Sequence, residues 1–120
     1  MADILIIDDE APVRLLIRRM LESEGHTVTE AADGTEGIKL YHESPVDVII
    51  TDLIMPDKEG LETINELRKE YPGIKIVAMS GGGKTSPGSH LDTAKLLGAA
   101  AILEKPFEKE MLLQTIRELI

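Results

Sequence analysis

The apolar positions of this chain fall into short runs separated by longer stretches of helical period. Five runs read as strands: Asp3–Asp8 (DILIID), His26–Glu30 (HTVTE), Val46–Asp52 (VDVIITD), Ile74–Ser80 (IKIVAMS) and Ala100–Glu104 (AAILE). The first, third and fourth are nearly continuous Ile, Val and Leu, the pattern of strands covered on both faces. Between the first two, Val13, Leu16, Ile17, Met20 and Leu21 recur at i, i+3, i+4, i+7 and i+8, which lays them on one stripe of a first helix. Pro12 suits its first position and Gly25 punctuates its far end. A second helix is expected from Gly34 to His42, stopping before Ser44-Pro45 because a residue preceding proline is pushed out of the helical region. A third spans Lys58–Glu70, with Leu61, Ile64 and Leu67 inward, and breaks at Tyr71-Pro72-Gly73. The fourth lies near Leu91–Leu97 and ends at Gly98. The last, Lys109–Ile120, aligns Leu112, Ile116 and Leu119.

Five strands alternating with five helices predict an α/β domain doubly wound about a parallel sheet. In such a sheet the carboxyl ends of all strands share one edge, and ligands bind there at the switch point of the strand order. The first strand ends in Asp8-Asp9, the third in Asp52 and the fourth in Ser80, and the fifth leads into Lys105-Pro106. Three carboxylates, a hydroxyl and an ammonium therefore converge from four strands. Clustered carboxylates repel one another unless a cation sits among them. Hard oxygen ligands suit Mg²⁺, which keeps several waters and is held by one or two carboxylates plus a phosphate. Asp52 could then act as a nucleophile, since carboxylates form acyl phosphates. Mg²⁺, Lys105 and the Ser80 hydroxyl would neutralise charge on the phosphoryl oxygens.

Composition narrows the classes. The 120 residues fit one domain covering the whole chain, and 42% hydrophobic with 29% charged content is that of a folded chain. The absence of cysteine removes thiol catalysis, thiolate zinc sites and a disulfide framework. A net charge of −9 argues against nucleic-acid binding by this chain, because phosphate contacts need clustered Lys and Arg. The start, MADILIIDDE, has no basic region and is not a signal peptide. No apolar run approaches the roughly 18 residues of a membrane span, so a cytoplasmic location is expected. His26, His42 and His90 have no ligand spacing and are expected to be surface or incidental residues, while Met20, Met55, Met79 and Met111 read as core or turn fillers.

Singly, these features have plainer readings. Asp8-Asp9-Glu10 could cap the first helix, Asp52 could be an ordinary strand-end carboxylate, Lys105 a surface charge and Ser80 loop chemistry. A second function class competes as well. Ala78–Thr85 (AMSGGGKT) follows a strand and resembles a phosphate-binding P-loop using Gly83-Lys84-Thr85, with Val48–Asp52 as the aspartate strand. That pattern wants glycine where Ala78 stands and a helix directly after the loop, whereas Ser86-Pro87-Gly88 continues the loop.

Taken jointly, IIDDE at 6–10, DVIITDLIMPDKEGLE at 47–62, IVAMSGG at 76–82 and LGAAAILEKPF at 97–107 resemble a response-regulator receiver domain from end to end. The resemblance implies a flavodoxin-like sheet of order 2-1-3-4-5 with five helices, and a phosphorelay function. It implies Asp52 as phosphoacceptor, and Asp8, Asp9, Asp52 and the Ile54 carbonyl as ligands of Mg²⁺. It further implies Ser80 as switch hydroxyl, Lys105 as phosphate-binding ammonium and a cis Lys105-Pro106 peptide. The implied partners are a sensor histidine kinase or histidine phosphotransfer domain and a downstream protein. The implied output surface is made by the fourth helix, fifth strand and last helix. With no output domain after the last helix, the chain is expected to signal through a separate protein. Its only implied catalysis is its own phosphoryl transfer and autodephosphorylation. Two departures stand out: Ile102 replaces the usual aromatic three residues before the lysine, and the Ser80–Lys105 interval is longer than is usual. The extra length lies in Gly81–His90, which is expected to transmit phosphorylation by an order–disorder change.

Overall fold

The computed structural model describes residues 1–53, 60–80, 98–105 and 107–120, with the side chains of Gly60, Leu61 and Ser80 outside that set. Its elements run β1 (Asp3–Ile7), α1 (Ala11–Glu22), β2 (Thr27–Ala31), α2 (Gly34–Glu43), β3 (Val48–Asp52), α3 (Gly60–Glu70), β4 (Ile76–Ser80), β5 (Ala101–Glu104) and α4 (Lys109–Leu119). The five strands form a parallel sheet of order β2-β1-β3-β4-β5, as the alternation of elements and the resemblance led us to expect. The described residues carry four helices. The expected fourth helix at Leu91–Leu97, the Gly81–His90 loop, the Lys84-Thr85 P-loop candidate, Met55 and Pro106 lie outside them.

The continuous apolar runs are explained by two cores. Leu5, Ile7, Ile49, Ile76 and Ala78 face Ile38, Tyr41, Ile64 and Leu67 of α2 and α3. The alternate residues Ile4, Ile6, Val48, Ile50, Val77 and Met79 face Ile17 and Leu21 of α1 and Leu112, Leu113 and Ile116 of α4. Successive strand residues point to opposite faces, so a strand buried on both has no polar position to show. Helices α1 and α4 cover one face and α2 and α3 the other, so the strand order reverses between β1 and β3. That reversal is the switch point where a doubly wound sheet opens a crevice.

Two local devices hold this frame. Asp33 caps α2 by accepting from the Glu36 amide at 2.8 Å, and Glu36 reaches back to accept from the Ala32 amide at 2.7 Å. Gly37 lets α2 lie against the sheet: a Cβ there would sit 2.3 Å from Ile7 Cδ1.

One expectation is corrected. Leu16 is 56% exposed instead of inward. It lies one residue, about 100° of rotation, from the buried Ile17, beyond the narrow stripe that the sheet covers. His26, read as surface or incidental, is buried, and its Nδ1 accepts the Ala2 amide at 3.0 Å. It fills the start of β2 beside β1, a polar contact that periodicity does not register. His42 is exposed as expected, bridging the Tyr71 hydroxyl at 2.6 Å and the Glu70 carboxylate at 2.8 Å.

Candidate functional site

The acidic turn follows directly from β1. Asp8 is fully buried; its amide donates to the Ala31 carbonyl at 3.1 Å, and its Oδ1 accepts the Glu10 amide at 2.8 Å. Asp9 and Glu10 are exposed. Glu10 is the N-cap of α1, and no side chain caps that helix. Glu10 thus makes no side-chain cap hydrogen bond to the helix. The oxygens of this turn converge: one from each of Asp8, Asp9 and Glu10 lie within 4.8 Å of one another. A hard cation bound at about 2.1 Å needs neighbouring oxygens about 3 Å apart and opposite ones about 4.2 Å apart. One buried and two exposed carboxylates within that span are hard oxygen donors of the kind such a cation takes, so the donor set fits a metal. Glu10 was not among the ligands the sequence suggested, although its place in the same run is the signal.

Asp52 closes β3, opposite Met79 of β4, and is 6% exposed. It lies outside the close group of three acids and is joined to it by a cation. Lys105, just past β5, places Nζ 2.8 Å from Asp8 Oδ2 and 3.4 Å from Asp52 Oδ2. Burial is the largest single influence on this ammonium and works against it. The hydrogen bonds and charges of Asp8 and Asp52 together outweigh burial and raise its pKa above the ordinary lysine value. Ser80 ends β4 opposite Glu104 in β5, which puts its backbone on this edge. The Ile54 carbonyl lies outside the described residues. Strands β1, β3 and β5 thus deliver two buried carboxylates and one ammonium to a single point at the switch of strand order.

Two partners of this centre were not found from the sequence. The Thr51 hydroxyl donates to the Asp52 carbonyl at 3.0 Å. Arg14 donates from its guanidinium to the Asp8 carbonyl at 2.6 Å and from Nε to Glu30 at 3.0 Å. Both act on backbone carbonyls, and no spacing rule reveals such contacts.

A family model for the response regulator receiver domain matches residues 4–117. The chain belongs to that family. Receiver domains act in two-component systems, and the P-loop alternative finds no support among the relatives. The chain is 35% identical to part of the sensor kinase CckA of Brucella abortus, covering 99% of this chain and 12% of that protein. It is 28% identical to the chemotaxis protein CheY of Halobacterium salinarum, covering 98% and 95% of the two chains. A receiver domain protein of Clostridium thermocellum superposes with a TM-score of 0.92 at 32% identity, covering 100% of this chain and 94% of that one. The chain thus spans between 12% and 25% of several curated relatives it matches and nearly the whole of the chemotaxis protein. Among the described residues no helix is long and apolar enough to cross a membrane.

Proposed function

We propose that this receiver takes a phosphoryl group onto Asp52 from a phosphohistidine of a histidine kinase or phosphotransfer domain. The observation that carries the reading is Lys105, which stands between Asp8 and Asp52 at the strand-order switch. An Asp52 carboxylate oxygen attacks phosphorus, the phosphorus–nitrogen bond breaks, and the departing imidazole takes its proton from solvent. Lys105 is positioned to follow charge onto the phosphoryl oxygens, and the Ser80 hydroxyl would add a hydrogen bond from the neighbouring strand. Asp8, Asp9 and Glu10 supply hard oxygens suited to Mg²⁺, together with Asp52 and the Ile54 carbonyl that the family resemblance implies. Bound there, Mg²⁺ would neutralise the acidic cluster and screen the incoming phosphoryl group.

The chain turns over no other substrate in this reading; it catalyses only its own phosphorylation and dephosphorylation, in the cytoplasm. Leu15 and Leu16, 46% and 56% exposed on α1 beside the acidic turn, offer apolar contact to the phosphodonor. Output falls to the face of β5 and α4, where Ile102, Phe107 and Met111 line a groove with Glu104, Glu108 and Glu110. That mixture suits a partner presenting basic and apolar side chains together. Incubation with a small-molecule phosphodonor and Mg²⁺ should give a hydroxylamine-labile adduct that is lost in Asp52→Ala. Labelling of Asp52→Ala at the wild-type level overturns the assignment.

A further inference from the structure

We infer that Arg14, held by Glu30, is a positioning residue for the divalent-cation site: its guanidinium fixes the peptide that joins Asp8 to Asp9. The inference rests on the reading that the acidic turn holds a cation. Its ground is one chain of contacts. Asp8 is buried and tied down by Lys105 and by the Glu10 amide, whereas Asp9 is exposed. The peptide between them sets where the Asp9 carboxylate points, and its carbonyl oxygen accepts from Arg14 at 2.6 Å. Arg14 cannot swing away, because Glu30 of β2 holds its Nε at 3.0 Å and its own amide is bonded to the Glu10 carbonyl at 3.1 Å. Glu30 is itself fixed from its other oxygen by Arg18 at 2.8 Å. The hydrogen bond from Arg18 first, and that from Arg14 after it, hold the Glu30 carboxyl below its ordinary range against the opposing effect of burial. The planar guanidinium can serve a carbonyl and a carboxylate at once through two fixed N–H directions, which an ammonium does not reproduce.

Charge and position make opposite predictions here. As a nearby positive charge, Arg14 repels a divalent cation, so removing it should tighten binding. As a support for the turn it should do the reverse. Groups that orient metal ligands without touching the metal are typically worth about 10–100-fold in affinity.

The test is calorimetric titration of the unphosphorylated chain with Mg²⁺, for wild type, Arg14→Lys, Arg14→Gln and Arg18→Gln. Thermal unfolding of each variant shows that it is folded. The expected result is Mg²⁺ binding about tenfold or more weaker in both Arg14 variants. Arg18→Gln, which removes a Glu30 partner but no contact to the turn, should stay within about twofold of wild type. Should Arg14→Gln fail to fold, Arg14→Lys alone decides the matter, because it keeps the charge and loses the fork. Equal or tighter binding in the Arg14 variants overturns the inference, as does an equal loss in Arg18→Gln. Absence of Mg²⁺ binding by the wild-type chain overturns the cation reading beneath it.

Discussion

Replacing Lys105 with methionine keeps an unbranched side chain of similar reach and deletes the charge that Asp8 and Asp52 share. At an effective dielectric of about 20, attraction across 2.8 Å and 3.4 Å amounts to about 6 and about 5 kcal/mol before solvation is counted. Taking the ammonium out of water offsets most of that gain, and removing one partner of a buried pair typically costs about 3–5 kcal/mol. The lower figure applies, since the Lys105 side chain keeps 17% of its exposure while Asp8 keeps none. About 3 kcal/mol should lower the Tm by roughly 10–15 °C in metal-free buffer. Magnesium reverses part of this loss. The ammonium occupies the Asp8 oxygen that a cation at the acidic turn would use, so its removal frees that ligand and leaves the cluster more negative. A ligand at a hundred times its Kd stabilises by about 2.7 kcal/mol, and each tenfold gain in affinity adds about 1.4 kcal/mol. The Tm gap between wild type and Lys105→Met should therefore narrow by several degrees in millimolar Mg²⁺, read by calorimetry or circular dichroism. A gap that stays constant or widens would refute the argument, because Lys105 and the cation would then not compete for Asp8.

Other expectations concern the frame around the site. Gly37→Ala should destabilise the chain by about 1–3 kcal/mol in urea unfolding, because the fully buried Ile7 cannot yield to a Cβ; the double variant with Ile7→Val should recover part of the loss. Asp33→Ala removes the acceptor for the Glu36 amide and should cost about 1 kcal/mol in the same assay. Burial first, then the N-terminal ammonium, lower the His26 pKa, so the unfolded state takes up its proton more readily. Stability from His26 is therefore fully present above the ordinary histidine pKa of about 6.5 and is lost as pH falls below it. His26→Gln should flatten the fall in Tm between about pH 7 and pH 5, and an unchanged slope would contradict the assignment.

The strands and the meeting of Asp8, Asp52 and Lys105 were legible because each rests on a local rule, whereas the strand order came from the family resemblance. Runs such as Ile4–Ile7 and Val48–Ile50 mark strands covered on both faces, and a doubly wound sheet then sends their ends to one edge. Helical period was a weaker guide to burial. It marked Leu16 as inward because spacing records rotation about the helix axis and not how wide a stripe the neighbouring sheet covers. The burial of His26 escaped notice for a related reason: the Ala2 amide that makes it acceptable comes from the residue before β1. Arg14 and Thr51 escaped notice because they act on carbonyls of the main chain, where residue type carries no pattern.

The charges at the strand ends also explain why the cluster is built around a lysine. Asp8 offers one oxygen to the Glu10 amide and the other to Lys105, so in this state the buried carboxylate is already satisfied. Lys105 sits nearer to Asp8 than to Asp52 by the difference between 2.8 Å and 3.4 Å. A cation taken up by the acidic turn would weaken the first contact and leave the second, moving the ammonium toward the carboxylate proposed to receive the phosphoryl group. Cation loading would thus prepare Asp52 through Lys105. Lys105 alone does not balance Asp8, Asp9, Glu10 and Asp52, and the negative excess left at these strand ends favours a divalent ion.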